Sequence, residues 1–337
     1  MNTFNNCIIL FGGSSEERLV SVASAQNLAA TVPEATLWFW SQDDKIFEIS
    51  GHDLASHKEA FVKEFKPTCA AKFSSLKDSL SEMKGKSVII GLHGTEGEDG
   101  GLQSLLENHG IKFTGSDSKA SALAFDKIAT KKLAKANGIP VVDDLSISEF
   151  ASHEISALEN FFNTHGKVVL KPLANGSSVG LYIVSHRAEL DEAIKTIKSK
   201  DVISYMCEPF IEGREITVGV WQKSGSETIS LPCSEVRVTQ GGQFDYLGKY
   251  LGKGVEELTP APLNEAQTKA CKELALKMHQ IIGCKGYSRT DMILTPKGPI
   301  VLEINTLPGL TKASFIPQQL NVIHVNLRDF FAAQLSL

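Results

Sequence analysis

Apolar and polar positions alternate in blocks along the first third of the chain. Residues 7–11 form a short apolar run that predicts a strand. The tight loop Gly12-Gly13-Ser14-Ser15 follows, and then a helix from about residue 16 to 30. Residues 37–40 and 87–92 predict a second and a third strand. Leu102, Leu105 and Leu106 mark one face of a short helix over 101–109, with Gly110 as its stop. Strands that alternate with helices predict a parallel sheet, with ligands near the strands' carboxyl ends. Residues 42–86 carry no clear period.

The middle of the chain changes rhythm after Thr114-Gly115-Ser116, which suggests a boundary there. Ala122, Phe125, Ala129, Leu133 and Ala136 predict one buried stripe on a helix over 118–137, ended by Asn137-Gly138 before Pro140. Residues 167–185 read as strand, Gly/Ser loop, strand. Leu190, Ala193, Ile194 and Ile197 predict a helix. Residues 207–215 read as a strand and turn. Residues 241–258 are Gly-rich and polar, long enough for a lid. A strong helix over 264–282 opens with Asn264 and Gln267 as a capping box, with Cys271, Leu274, Met278, Ile281 and Ile282 as its stripe. Apolar helical signals close the chain over 320–335.

The stretch 286–309, GYSRTDMILTPKGPIVLEINTLPG, predicts a hairpin turning at Thr295-Pro296-Lys297-Gly298-Pro299. Side chains alternate faces along a strand, so Arg289, Asp291 and Ile293 share a face. Folding about Lys297 pairs Ile293 with Val301, Asp291 with Glu303 and Arg289 with Asn305. Two carboxylates then lie directly opposed, which destabilises a sheet unless something offsets the repulsion. A divalent cation held by Asp291, Glu303 and Asn305 would do so, and these oxygens suit Mg²⁺ bound with a nucleotide's phosphates. Arg289 supplies a positive charge for a developing oxyanion or a phosphoryl group. A solvent-exposed hairpin with scattered charges is the plainer alternative.

Composition narrows the classes. The chain has 337 residues, room for two or three domains, and is 42% hydrophobic and 22% charged. A net charge of −5 gives no basic footprint for nucleic acid, and no run approaches a membrane span. The start, MNTFNNCIILFGG, lacks a signal peptide's basic region. The six cysteines show no CxxC spacing. These features predict a cytoplasmic protein.

Other candidate residues sit at predicted strand ends and loops. Glu17 falls in the first turn of the first helix, favoured by the helix dipole and placed to hold an ammonium group; a plain helix-start Glu is the simpler reading. His93 opens an acidic loop, HGTEGEDG, as a ligand contact or a solvated loop histidine. Lys127 lies off its helix's stripe. Gly176-x-Ser178-x-Gly180 has the spacing of a nucleophile elbow, but a strand follows it where a helix is needed. A Gly/Ser hairpin with Lys171 at its base instead suits a flap over phosphates, with no P-loop signature present. Glu208 and Glu215 could accept from a base amino group or ribose hydroxyls. Tyr246, Lys249 and Tyr250 mark the lid.

In order, GGSSEERLVS, GLHGTEGEDG, FDK, KPLANGSSVG, FIEGRE, a lid KY, YSRTDM and LEINTLPGLT run nearly the whole chain. This set closely resembles the D-alanine–D-alanine ligase family of ATP-grasp enzymes. The resemblance implies an α/β and α+β architecture: an ATP-grasp fold behind an N-terminal parallel-sheet domain. The parts would be 1–117 with the first D-alanine site, 118–203 with the flap, and 204–337 with the lid and metal site. Lys127, Lys171 and Lys249 would contact the phosphates of ATP, and Glu208 and Glu215 its adenine and ribose. Asp291, Glu303 and Asn305 would hold two Mg²⁺, with Mn²⁺ as a substitute. Glu17 would hold the first D-alanine's ammonium with His93 nearby, and Ser177, Tyr250 and Glu17 would tie flap and lid to that site. Arg289 and the Gly309 N–H would stabilise the oxyanion. Ser314 would bind the second D-alanine's carboxylate beside Phe315.

The family's reaction makes D-alanyl-D-alanine for peptidoglycan through a D-alanyl phosphate. Tyr250 argues for an amine acceptor. Phe315, where Leu is commoner, and the acidic 255–258 segment depart from the usual pattern. A D-serine, D-lactate or other dipeptide ligase, and a catalytically silent ATP-binding paralogue, remain as alternatives. The resemblance also implies a homodimer.

Overall fold

The structure is a computed structural model that describes residues 3–173, 180–199, 204–223, 225, 227–238 and 254–337. Its first sheet has five strands: β1 (Cys7–Gly12), β2 (Thr36–Trp40), β3 (Ile46–Ile49), β4 (Ser87–Ile90) and β5 (Lys112–Phe113). Their order is β3-β2-β1-β4-β5, parallel except where β3 runs against β2. β1 is buried along its whole length, as a central parallel strand must be. It ends at Gly12, whose φ of +100° and closeness to Trp40 exclude a side chain: a Cβ there would lie 2.3 Å from the Trp40 carbonyl oxygen. The chain then turns into α1 (Arg18–Thr31).

The unpatterned stretch 42–86 holds β3 and two short helices, α2 (Gly51–Ser56) and α3 (Leu76–Met83). Ser50 and Ser75 cap them by accepting from the backbone N–H groups of Asp53 and Asp78. Each element is too short to establish a period.

After α4 (Gly101–Asn108) comes the first correction. The helix expected over 118–137 is two helices, α5 (Ser118–Phe125) and α6 (Lys127–Ala136). Asp126 ends one and caps the other, accepting from Ile128 N at 3.0 Å and Ala129 N at 2.9 Å. The break resets the phase, so the expected stripe is not the buried one. Ala120, Ala124 and Ala134 face inward, against Met278, Ile282, Val301 and Ile304, and Ala122 is exposed.

The second sheet is antiparallel, ordered β6 (Leu145–Ile147), β9 (Tyr205–Pro209), β7 (Val168–Pro172), β8 (Tyr182–Val184). α7 (Ser152–His165) and α8 (Arg187–Lys198) supply Leu158, Phe162, Leu190, Ala193, Ile194 and Ile197 to its core. The expected part 118–203 does not coincide with one sheet. Its sheet includes β9, beyond residue 203, while α5 and α6 pack on the third sheet instead.

That third sheet follows the order β13 (Val255–Leu258), β12 (Ser234–Val238), β10 (Arg214–Gln222), β14 (Tyr287–Thr295), β15 (Gly298–Asn305), with β11 (Thr228–Ser230) on β10. The helix Glu265–Ile282 covers it. Asn264 and Gln267 form the expected reciprocal cap, with bonds of 2.9 and 3.1 Å. Two last helices, Phe315–Val322 and Leu327–Leu335, turn back to the first sheet. Ile316, Leu320, Phe330 and Phe331 join the same core as Ile8, Ile9, Leu10 and Leu28. Among the described residues no helix is long and apolar enough to cross a membrane.

Candidate active site

The β14–β15 hairpin supplies one wall of a cleft between the first and third sheets. Ser288, Thr290, Met292 and Leu294 are buried, which turns Arg289 and Asp291 toward the cleft. Asp291 stands opposite Glu303, and Arg289 opposite Asn305, as the sequence predicts. Ile293 does not pair with Val301. The register shifts after Asp291, so Met292 pairs with Val301 and Ile293 with Ile300. A bulge at this point leaves the charged end of the hairpin in the expected register and moves only its far end.

The opposed carboxylates are balanced by cations of the protein itself. Arg289 grips Asp291 through Nε at 2.8 Å and Nη2 at 2.7 Å, a bidentate geometry. Thr217, the cross-strand partner of Asp291 on β10, donates its hydroxyl to the same carboxylate. Lys127, the first residue of α6, brings Nζ to 3.9 Å from Glu303. The break at Asp126 is what points this lysine at the hairpin.

The opposite wall is built by the loops after β1 and β4. Glu17 is the N-cap of α1 rather than a first-turn residue, and its side chain makes no capping bond. It packs beside Gly94. His93 lines the cleft, yet both ring nitrogens are engaged: Nδ1 lies 2.9 Å from the Leu307 carbonyl oxygen and Nε2 2.8 Å from Ser24 Oγ. A carbonyl only accepts, so Nδ1 carries the proton and Nε2 accepts from the serine in the neutral ring. Burial pushes the His93 pKa down, against the pull of Glu17, and favours the neutral form. Glu98 closes its own loop: its Oε1 accepts from Gly94 N at 2.9 Å, and its N donates to the Gly94 carbonyl at 2.8 Å. Burial and the nearby Glu17 carboxylate push the Glu98 pKa up to about 8.

The floor is the segment 306–315. Ser314 Oγ accepts from Thr311 N at 3.1 Å and bonds Thr311 Oγ1 at 2.8 Å, holding the loop in a tight turn before the helix Phe315–Val322. A Cβ on Gly309 would lie 2.8 Å from Ser314 Oγ, so glycine lets these two residues meet. Phe315 lines the cleft beside them. Glu257 of β13 enters from the side, with Oε2 accepting from Gln318 Nε2 at 2.9 Å.

Sequence reasoning placed Glu17, His93, Lys127, Glu215, Arg289, Asp291, Glu303, Asn305, Gly309, Ser314 and Phe315 at the site, and the fold brings all of them to this cleft. Lys171 and Glu208 sit apart from it, in a buried network. Glu208 receives Lys171 Nζ on one oxygen at 2.7 Å and Lys131 Nζ on the other at 2.6 Å, and Lys131 also reaches Asp144 at 3.1 Å. Ser177, Lys249 and Tyr250 lie outside the described residues. Sequence reasoning missed Thr217, Glu257, Lys131 and the individual part of Glu98. Only Thr217 had a local signal, its place on a strand that alternates toward the cleft.

Chemically, the cleft sets hard oxygen donors beside two fixed cations. Asp291, Glu303 and Asn305 form a set that fits a divalent cation shared with phosphates, provided Arg289 yields its place on Asp291. Among the described residues no cluster of three or more His, Cys, Asp or Glu side chains is placed to hold a metal ion.

The chain is similar to known proteins over nearly its whole length. Residues 6–116 match the model for the D-ala D-ala ligase N-terminus and residues 133–333 that for the C-terminus. The D-alanine–D-alanine ligase of Leptospira biflexa is 34% identical over 342 residues, covering 96% of this chain and 95% of that protein. Among solved structures, the VanG D-Ala:D-Ser ligase of Enterococcus faecalis is 28% identical with a TM-score of 0.79, covering 98% of this chain and 97% of that one. The D-alanine-D-alanine ligase of Coxiella burnetii has a TM-score of 0.78 at 24% identity, with 98% and 92% covered, a likeness of fold. The fold is ATP-grasp, and by the extent of these matches the chain belongs to the D-alanine–D-alanine ligase family.

Proposed function

We infer that the protein joins two D-alanines into D-alanyl-D-alanine, a peptidoglycan precursor, while cleaving ATP to ADP and phosphate. One observation carries this reading. Arg289, Asp291, Glu303 and Asn305 share a face of one hairpin, in a cleft that also holds Glu17 and Ser314. The first two parts of the chain would be 1–117 and 118–203, and the third 204–337, with β9 shared into the central sheet. The family resemblance supports a homodimer, and precursor synthesis supports a cytoplasmic site of action.

Glu17 would hold the first D-alanine by its ammonium group, with the neutral His93 fixing the wall behind it. Lys127 and Lys171 would bind phosphates of ATP, Glu208 its adenine and Glu215 its ribose. The first substrate's carboxylate attacks the γ-phosphate, and ADP leaves. Asp291, Glu303 and Asn305 would hold Mg²⁺, whose chemistry is to neutralise phosphate charge. Lys249, Ser177 and Tyr250 would complete the closed site, as the resemblance implies. Ser314 would receive the acceptor's carboxylate beside Phe315. Arg289 and the Gly309 N–H would stabilise the tetrahedral oxyanion as the acceptor amine displaces phosphate. Positioning, charge balance and exclusion of water supply most of the acceleration.

The test is phosphate release from ATP with Mg²⁺ and D-alanine, with the product identified by mass and D-serine and D-lactate competing. D-Alanyl-D-alanine as main product supports the reading; no phosphate release overturns it. A D-serine acceptor is a second reading, favoured by the likeness to the VanG enzyme, and a mixed product would support it. Glu303→Gln should lower kcat on the order of 10²-fold or more, the loss expected from several kcal/mol of charge stabilisation. Wild-type turnover at limiting Mg²⁺ would remove Glu303 from the cation site.

A further inference from the structure

We propose that Glu257 is the base that takes the proton from the incoming acceptor's ammonium group. This rests on the reading that Ser314 receives the acceptor's carboxylate. The placement comes from Gln318. It lies one helical turn beyond Ser314, and residues so spaced have Cβ atoms about 6 Å apart. Gln318 Nε2 donates to Glu257 Oε2 at 2.9 Å and to the Ala313 carbonyl at 2.6 Å, and Gln318 Oε1 accepts from Thr259 Oγ1 at 2.9 Å. The glutamine is thus fixed on three sides, and it fixes one oxygen of Glu257 beside the acceptor end of the cleft. An α-amino acid bound at Ser314 by its carboxylate would direct its ammonium toward the other oxygen of Glu257, which lines the same cleft.

Other acid–base groups of the cleft have surroundings of their own, and Glu303 faces Lys127 at 3.9 Å. Asp291 is gripped by Arg289 and Thr217. Glu98 accepts from Gly94 N, Glu17 stands by Gly94 on the far wall, and both nitrogens of His93 are engaged. The charged group that acts on Glu257 from across the cleft is Arg289 on β14, and Glu215 and Asp291 line the same cleft. Glu256 faces the other way and lies 3.9 Å from Arg237 of β12, which also reaches Glu235. The helix Phe315–Val322 has no charged side chain. Burial raises the Glu257 carboxyl above its ordinary range, and the Gln318 bond and Arg289 restrain that rise, which suits a group that must accept a proton near neutral pH.

The step balances. An N–H bond of the ammonium breaks and its proton goes to Glu257. The freed lone pair attacks the acyl-phosphate carbonyl, the C–O bond to phosphate breaks with its electron pair, and the second N–H proton leaves with the phosphate. Glu257 returns its proton to solvent.

Hydroxylamine separates this step from the first. It is uncharged near neutral pH, so it traps the acyl phosphate as a hydroxamate with no base. In Glu257→Gln, hydroxamate formation from ATP and D-alanine should match wild type. Dipeptide formation should fall about 10²-fold at pH 7, a usual contribution of general base catalysis. The deficit should narrow as pH rises and free amine becomes available in solution. Equal loss of both products, or loss of neither, would overturn the assignment. A wild-type protein that forms no hydroxamate would overturn the ligase reading itself.

Discussion

Glu98 keeps its proton far above the ordinary carboxyl range, and that has a consequence for stability. Its ordinary value is 4.5 and its folded value about 8. Between these pH values the unfolded chain has released the proton while the folded protein retains it. Stability contributed by this group is therefore present at acid pH and lost as pH rises from about 4.5 toward about 8. Glu98→Gln, a neutral isostere whose Oε1 can still accept from Gly94 N, should flatten that decline. Chemical denaturation of both proteins at several pH values checks it, and identical slopes would mean that Glu98 ionises normally. At this scale the sequence is most readable where chemistry is local. The opposition of Asp291 and Glu303 follows from strand alternation and turn position alone. The mispairing of Ile293 arises because a bulge depends on what the sheet packs against. Glu257 and Lys131 were illegible because their partners, Gln318 and Glu208, lie 61 and 77 residues away in the chain.

At the scale of elements, the break between α5 and α6 matters most. Asp126 caps α6 with two backbone bonds and so sets where Lys127 points. Asp126→Ala should cost about 1 kcal/mol of stability, the usual worth of an N-cap, and, on the proposed phosphate contact of Lys127, raise KM for ATP. Denaturation midpoints and ATP titration of the initial rate check both; an unchanged KM would separate the cap from the site. A helix break inside a good helix-forming sequence is hard to read, since Asp is tolerated in helices and only its two bonds reveal the cap. The helix Glu265–Ile282 was legible because its capping box and αL glycine, Gly283, bracket a clear period. The stretch 42–86 was not, because its short elements are held by tertiary contacts such as the packing of Phe47 of β3 on Phe39 and of Phe65 on Phe11 and Phe39.

For the whole molecule, the alternation of elements before residue 115 announces the parallel sheet, and the hairpins after 167 announce the antiparallel ones. The sequence does not announce that the last helices belong to the first sheet's core. Phe330 and Phe331 are fully buried there, in edge-to-face contact with each other at 5.2 Å. Phe330→Ala should cost about 3–5 kcal/mol, the range for emptying a buried aromatic site, measured by denaturation of the full chain. A loss under ~1 kcal/mol would mean that this helix is only an appendage.

The return of the chain's end to its beginning also sets an order of events during synthesis. A ribosome delivers β1 about 320 residues before Phe331, so the first sheet waits with one flank uncovered while the residues between are made. Contacts between residues so distant in the chain close late and slow the folding search. Exposed apolar surface during that wait is where aggregation begins. Arg328 lies against Glu34 at 2.8 Å and bonds the Thr31 carbonyl, and Asn27 donates to the Leu310 carbonyl at 2.7 Å. These polar contacts join a late segment to an early one, so the N-terminal sheet completes its cover only after residues 310–331 have been made.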